Sequence, residues 1–215
     1  MFHRLQSMIN LLVFIHVVAG VAAIIGMIGA LSTRKGANWH KHFGSMYVYS
    51  MAIALLFALL IAIFTQNLFL LCIGIFSGYL IYTGWRLARI KSGVQSRTDK
   101  IVIKLMLLVG VTMFAYGGYM AANKNSLGIT LMVLGVIGLL SAWADLNRNG
   151  TWPTGQERIR AHLTRMGGGC IATTTAVFVI NVQTSPAFIA WLLPTFFGTL
   201  LLTYWLRRMS VDTAH

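Results

Sequence analysis

Acidic side chains are nearly absent from this chain: 4 Asp and Glu stand against 17 Lys and Arg in 215 residues. So few carboxylates leave little from which to build a paired-carboxylate hydrolase. Charge of either sign is scarce, at 10% of residues, where a soluble domain carries about a quarter. There are only 2 Cys, Cys72 and Cys170. One lies near the end of its apolar run and the other nearer the middle, so they read as buried inert thiols and not as a disulfide. No H-E-x-x-H, C-x-x-C, G-x-S-x-G or phosphate-cradling Gly-Lys-Ser loop occurs. No run holds two mid-membrane histidines, so a stacked pair of intramembrane haems has no ligands.

What is present is apolar. Hydrophobic residues make up 57% of the chain and the mean hydropathy is +0.75. They gather into seven runs, at approximately 8–31, 43–65, 67–90, 101–122, 126–145, 162–181 and 187–206. About 20 helical residues cross a hydrocarbon core of roughly 30 Å. Inside lipid each backbone donor and acceptor needs an internal partner, so runs of this length are helices; the short alternating segments of a barrel are missing. The fold class expected is all-α, a polytopic seven-transmembrane-helix bundle. One domain, 1–215, is expected, because the longest connection, about 147–160, is too short to fold alone. Run 1 exceeds the 7–15 apolar residues typical of a signal peptide, and basic residues follow it, so it reads as a retained anchor.

The loops set the orientation. Of the 17 Lys and Arg, all but Arg4 and Lys124 fall on one side once the runs alternate across a bilayer. They cluster at Arg34 to Lys41, Arg86 to Lys104 (Lys91 included), Arg148 to Arg165, and Arg207 and Arg208. The positive-inside rule then predicts an outer N-terminus and a cytoplasmic C-terminus. The net charge of +13 implies anionic headgroups as the partner, at about 1 kcal/mol per basic residue near the surface, and not nucleic acid. Trp39, Trp85, Trp143, Trp152 and Trp205 lie near the same side, as an interfacial aromatic belt would.

Ionisable residues within spans are costly and mark candidate sites. His16 sits near the middle of run 1, on a face with Gly20, Ala23, Met27 and Ala30. It is expected to face the bundle interior, with Gly20 and Ala23 against another helix and a Tyr or Thr hydroxyl as its partner. His40 and His42 open run 2; two residues apart, they face different ways on a helix. Thr154 and Glu157 match a capping box at the start of run 6. The helix beyond carries Arg158, His162, Arg165 and Gly169 on one face, with Gly167-Gly168-Gly169 able to make room for a close neighbour. Asp145 ends run 5, where a carboxylate opposes the helix dipole and calls for a partner among the nearby arginines. Asp145-Leu146-Asn147-Arg148-Asn149-Gly150 matches half of a calcium loop, but the twelfth position is Gln156. An Asn-Gly turn is the expectation there.

Three stretches together resemble a family of bacterial predicted multi-pass membrane proteins defined only as a domain of unknown function. They are His16 with Gly20, then Lys35-Gly36-x-x-Trp39-His40-x-x-x-Gly44-x-x-Tyr47, then His162-Leu-x-Arg165-Met166 leading to Thr175 and Asn181. The resemblance covers about half the chain and implies a bacterial inner-membrane location. It implies no activity.

Three functions with a site follow from these residues, beside a structural or regulatory subunit with no chemistry of its own. The first is a membrane redox protein with one b-type haem, its cofactor-binding residues drawn from His16, His42, His162 and Arg165, and Gly44 and the run-6 glycines making room for the ring. The second is a metal-dependent enzyme or carrier for zinc or iron, using His40, His42, Asp145 and His162. The third is a small-solute or lipid transporter built around His16, the run-6 glycines and Pro194. His42, Asp145 and His162 are expected to converge, with Arg165 beside them.

Overall fold

A computed structural model describes residues 2–90 and 93–211, with side chains for 6–90 and 93–208; Lys91 and the Arg4 side chain lie outside the described residues. Seven helices run in order: α1 (Phe2–Ser32), α2 (Asn38–Phe64), α3 (Leu68–Arg89), α4 (Arg97–Ala122), α5 (Leu127–Leu146), α6 (Gly155–Asn181) and α7 (Phe188–Val211). Each contains a window of mean hydropathy between 1.3 and 2.7, long enough to cross a membrane. Their outward faces are apolar: Phe14, Leu108 and Leu140 are about two-thirds exposed, at 65%, 66% and 65%. Water would penalise so much bare hydrocarbon, and a bilayer removes the penalty. The protein is an all-α, multi-pass membrane protein.

Four helices, α1, α2, α4 and α6, begin earlier than their apolar runs. α2 starts at Asn38 and so includes His40 and His42; α6 starts at Gly155 and takes in the polar segment before His162. A helix continues past the hydrocarbon edge as long as its backbone bonds and side chains can be solvated there, so hydropathy marks the lipid boundary and not the helix end.

Contacts group the chain into two compact units, Met1–Gly78 and Tyr79–His215. The division falls inside α3. In the first unit α1 and α2 pack through small residues. A Cβ on Gly26 would lie 2.6 Å from the Tyr47 backbone nitrogen, and one on Gly29 would enter the Phe43 ring. Ala23 and Tyr47 are buried in this crossing. Gly20 faces open space instead, so of the pair expected at the interface only Ala23 is there. His16 is turned toward α2, and its Nδ1–H donates to the Ala54 carbonyl oxygen at 2.8 Å. Its partner is therefore a backbone carbonyl and not a hydroxyl. Ala54 has no side chain long enough to hold the ring off the backbone, and a helical carbonyl keeps a second lone pair to accept with.

In the second unit α4 packs against α5 and α6 against α7. Gly128 and Gly117 let the α4 and α5 backbones meet, and Gly198 receives Ile171. The 3–4 and 5–6 connections dock on each other. Val94 and Thr151 form an antiparallel bridge, the Gln95 N–H donates to Gly150 at 2.8 Å, and the Trp152 N–H donates to Gly93 at 2.6 Å. Asn149 and Gly150 both take positive φ, 49° and 80°. The half-match to a calcium loop is thus the Asn-Gly turn expected, since these two residues enter that region at least cost.

Candidate functional site

Two membrane-helix carboxylates in the second unit organise its polar interior, and they are organised differently. Asp99 is sealed. It is fully buried, at 0% exposure, in the first turn of α4, where it forms a capping box with Ser96: the Asp99 N–H donates to Ser96 Oγ at 3.1 Å and the Ser96 N–H to Asp99 Oδ2 at 2.8 Å. Arg86 clamps it with Nε to Oδ1 and Nη2 to Oδ2, both 2.8 Å. Tyr82 donates its hydroxyl to Oδ1 at 2.6 Å, and Trp152 its indole N–H to Oδ2 at 3.1 Å. These donors from α3, the 3–4 turn and the 5–6 connection occupy the carboxylate's acceptor positions.

Asp145 is buried but not sealed. At the last turn of α5 it accepts from Arg165 Nη2 at 2.9 Å and from the Tyr79 hydroxyl. Arg165 also donates to the Ser141 carbonyl at 3.1 Å and lies over the Tyr79 ring, 5.2 Å from its centroid. The arginine partner expected for Asp145 is present, and the α5 dipole supplies the reason for it. The helix end is closed by Gln95, whose amide donates to the Asp145 carbonyl at 3.0 Å. Beside the pair opens a cleft of about 320 Å³, lined by Leu87, Leu140, Ser141, Ala144, Asp145, Arg148, Trp152, Pro153, Ala161, Thr164 and Arg165.

The histidines serve helix ends and helix faces. His162 Nδ1 donates to the Gly84 carbonyl at 2.8 Å, joining α6 to α3. His40 Nδ1 donates to the Ala30 carbonyl at 3.0 Å, beside Lys35 Nζ at 2.9 Å, so both satisfy the C-terminal carbonyls of α1. His42 is exposed and packs edge-on against Trp39 and Phe43. His42 belongs to the first unit, and Asp145, His162 and Arg165 to the second. Among the described residues no three His, Cys, Asp or Glu side chains group closely enough to hold a metal ion. Of the glycines expected to accommodate a cofactor ring, Gly44 has open space beside it, whereas a Cβ on Gly167 would meet Leu202 and one on Gly168 Leu80; Gly84, opposite on α3, receives Met166.

Two local expectations change. Thr154 precedes α6 but its side chain makes no capping bond. Glu157 instead takes Arg148 Nη2 at 2.6 Å, because an arginine brought near by the Asn-Gly turn offers a charged donor. The capping box of this chain is Ser96 with Asp99. Asp99, Arg86, Tyr79 and Tyr82 were not among the expected site residues. Ser96-x-x-Asp99 before an apolar run is the sequence signal that marks the first of them; the tyrosines carry none. Comparison with protein-family models, curated proteins and solved structures finds no match to this chain in any of the three.

Proposed function

We propose that this is a bacterial inner-membrane protein, N-terminus outside and C-terminus cytoplasmic, that handles a small polar solute or a lipid at the Asp145–Arg165 cleft. The observation that carries this reading is the contrast between the two buried carboxylates. Asp99 has every acceptor position filled and reads as a structural lock. Asp145 and Arg165 are as costly to hold in a membrane helix, yet both line a cleft of about 320 Å³. That volume lies within the range of ligand sites, roughly 300–1,000 Å³. The orientation follows from the Lys and Arg asymmetry, which also makes anionic headgroups on the cytoplasmic face the natural surroundings of the cleft. The resemblance to bacterial predicted membrane proteins supports the inner-membrane setting.

A b-type haem would have to be held by His42 and His162, or a zinc or iron ion by His40, His42, Asp145 and His162. Carbonyls fix the Nδ1–H of His40 and His162, which leaves Nε2 as the ligating nitrogen. The filled positions at Gly84, Gly167 and Gly168 and the engagement of Asp145 by Arg165 and Tyr79 favour the cleft over either. A Soret band in the purified protein, or stoichiometric zinc or iron, would move the function to the histidines.

The cleft is tested by cysteine substitution at Ser141 and Thr164, in a background with Cys72 and Cys170 replaced by serine or alanine. A charged, membrane-impermeant thiol reagent should modify both positions from the basic face, in inverted vesicles, and not from the other. Failure to modify either position from either side would overturn the reading.

A further inference from the structure

We infer that the ligand of this cleft is an anionic phospholipid, its phosphate held by Arg165, Arg148 and Thr164 and one acyl chain lying along Leu140; this rests on the cleft's proposed role as a ligand site.

The donors come first. Arg165 carries five N–H groups, and its hydrogen bonds to Asp145 and to the Ser141 carbonyl both use Nη2. The residue lines the cleft, and a guanidinium held to Asp145 through Nη2 can meet a phosphate with its other N–H groups while Asp145 stays in place. Arg148 lines the same cleft, and its pair with Glu157 is exposed, at 32% and 63% for the two side chains. Such a pair is weak and easily exchanged, so Arg148 can turn from Glu157 to an anion. The Thr164 hydroxyl donates to the Arg160 carbonyl at 2.9 Å and keeps its lone pairs; it can exchange that bond for one to a phosphate oxygen. The lining holds two guanidiniums and one carboxylate, and Asp145 already accepts from Tyr79 and Arg165. An anion is the matching charge, and guanidinium geometry suits phosphate oxygens.

The remaining wall is apolar. Leu87, Leu140, Ala144, Pro153 and Ala161 line the same cleft, and Leu140 is 65% exposed on the outer face of α5. Inorganic phosphate would leave this wall bare. A cleft of about 320 Å³ is too small for two acyl chains, so a lipid would place its headgroup inside and its chains along the exposed apolar surface. The cleft also lies at the right depth, beside the last turns of α5, which ends at Leu146. That is the basic end, where headgroups sit.

The full chain, purified in neutral detergent, is titrated with phosphatidylglycerol, phosphatidylcholine or sodium phosphate. Bound lipid is counted by native mass spectrometry and stability is followed by thermal unfolding. One phosphatidylglycerol should bind saturably and raise the unfolding midpoint, with phosphatidylcholine and sodium phosphate at least tenfold weaker. Arg148→Gln should lower the phosphatidylglycerol affinity about tenfold, the loss of one charge-assisted contact. Leu140→Ala should weaken lipid binding with little change in unfolding midpoint in the absence of lipid, because the side chain is 65% exposed. Equal binding of phosphatidylglycerol and phosphatidylcholine, or no effect of Arg148→Gln, would overturn the inference. Sodium phosphate binding as tightly as the lipid would make the ligand a free anion and overturn it equally. If a soluble solute protects the cysteines at Ser141 and Thr164 while lipid does not bind, the proposed function stands and the lipid falls; if neither cysteine reacts, both fall.

Discussion

A carboxylate in a membrane helix is defined by what surrounds it, and Asp99 and Asp145 show two outcomes of one problem. At Asp99, Arg86, Tyr82, Trp152 and Ser96 converge on a side chain with no exposure. Removing one partner of a buried ion pair costs about 3–5 kcal/mol, because the other charge is left without compensation. Arg86 is partly exposed, at 21%, so water recovers some of this; Asp99→Ala should destabilise by about 3 kcal/mol in reversible unfolding from mixed micelles. Glu157→Gln removes the same kind of pair at an exposed position, and should change stability by less than about 1 kcal/mol. Equal effects of the two substitutions would show that Asp99 is not a structural lock. Asp145→Ala strands Arg165 and the Tyr79 hydroxyl and belongs with Asp99 in sign.

Elements meet where side chains are smallest. The α4–α5 crossing depends on Gly117 and Gly128, where a Cβ on Gly128 would collide with the Gly117 carbonyl oxygen and come within 2.6 Å of the Ala121 nitrogen. Backbone cannot yield as a flexible side chain can, so Gly128→Leu must part the helices. The expected cost is about 3 kcal/mol, the upper part of the usual range for overpacking. Gly118, next to Gly117 but with nothing within 4 Å, is the control: Gly118→Leu should leave the unfolding midpoint unchanged or raise it, since glycine is a poor helix former. Helix ends give a second contrast. Ser96→Ala should cost about 1 kcal/mol through loss of the cap, while Thr154→Ala removes no capping bond and should be near neutral. A larger effect at Thr154 would contradict the assignment of the capping box to Ser96 and Asp99.

At the scale of the whole molecule, the charge asymmetry predicts which face is cytoplasmic. The 3–4 and 5–6 connections are bonded to each other through Val94 and Thr151 and through Trp152 and Gly93, so they share a side of the membrane. Reporter fusions near Gly93 and near Gly150 should both report the cytoplasm, and one at the N-terminus the opposite compartment. A signal from the opposite compartment at both loop fusions would reverse the orientation while leaving the helices intact; opposite signals from the two would contradict their pairing.

The number of helices, their class and their lipid-facing character were determined by the sequence alone. Spans of apolar residues such as 101–122 have one stable form in hydrocarbon, whatever lies beside them. The need of Asp145 for an arginine was legible for the same kind of reason, since an isolated charge at a helix C-terminus is unfavourable before any neighbour is known. Which arginine answers it was not: Arg148 is nearer in sequence, but Arg165 makes the bond, because α6 brings its guanidinium to the last turn of α5. Only the tertiary structure decided that Tyr79 and Tyr82, three residues apart on α3, serve different carboxylates. It also decided that Gly84, Gly167 and Gly168 admit Met166, Leu202 and Leu80, and that His16 spends its Nδ1–H on a backbone carbonyl. Hydropathy is a property each residue carries into any fold, whereas a hydrogen-bond partner in the membrane interior is a property of the neighbour, and neighbours are set by how helices pack.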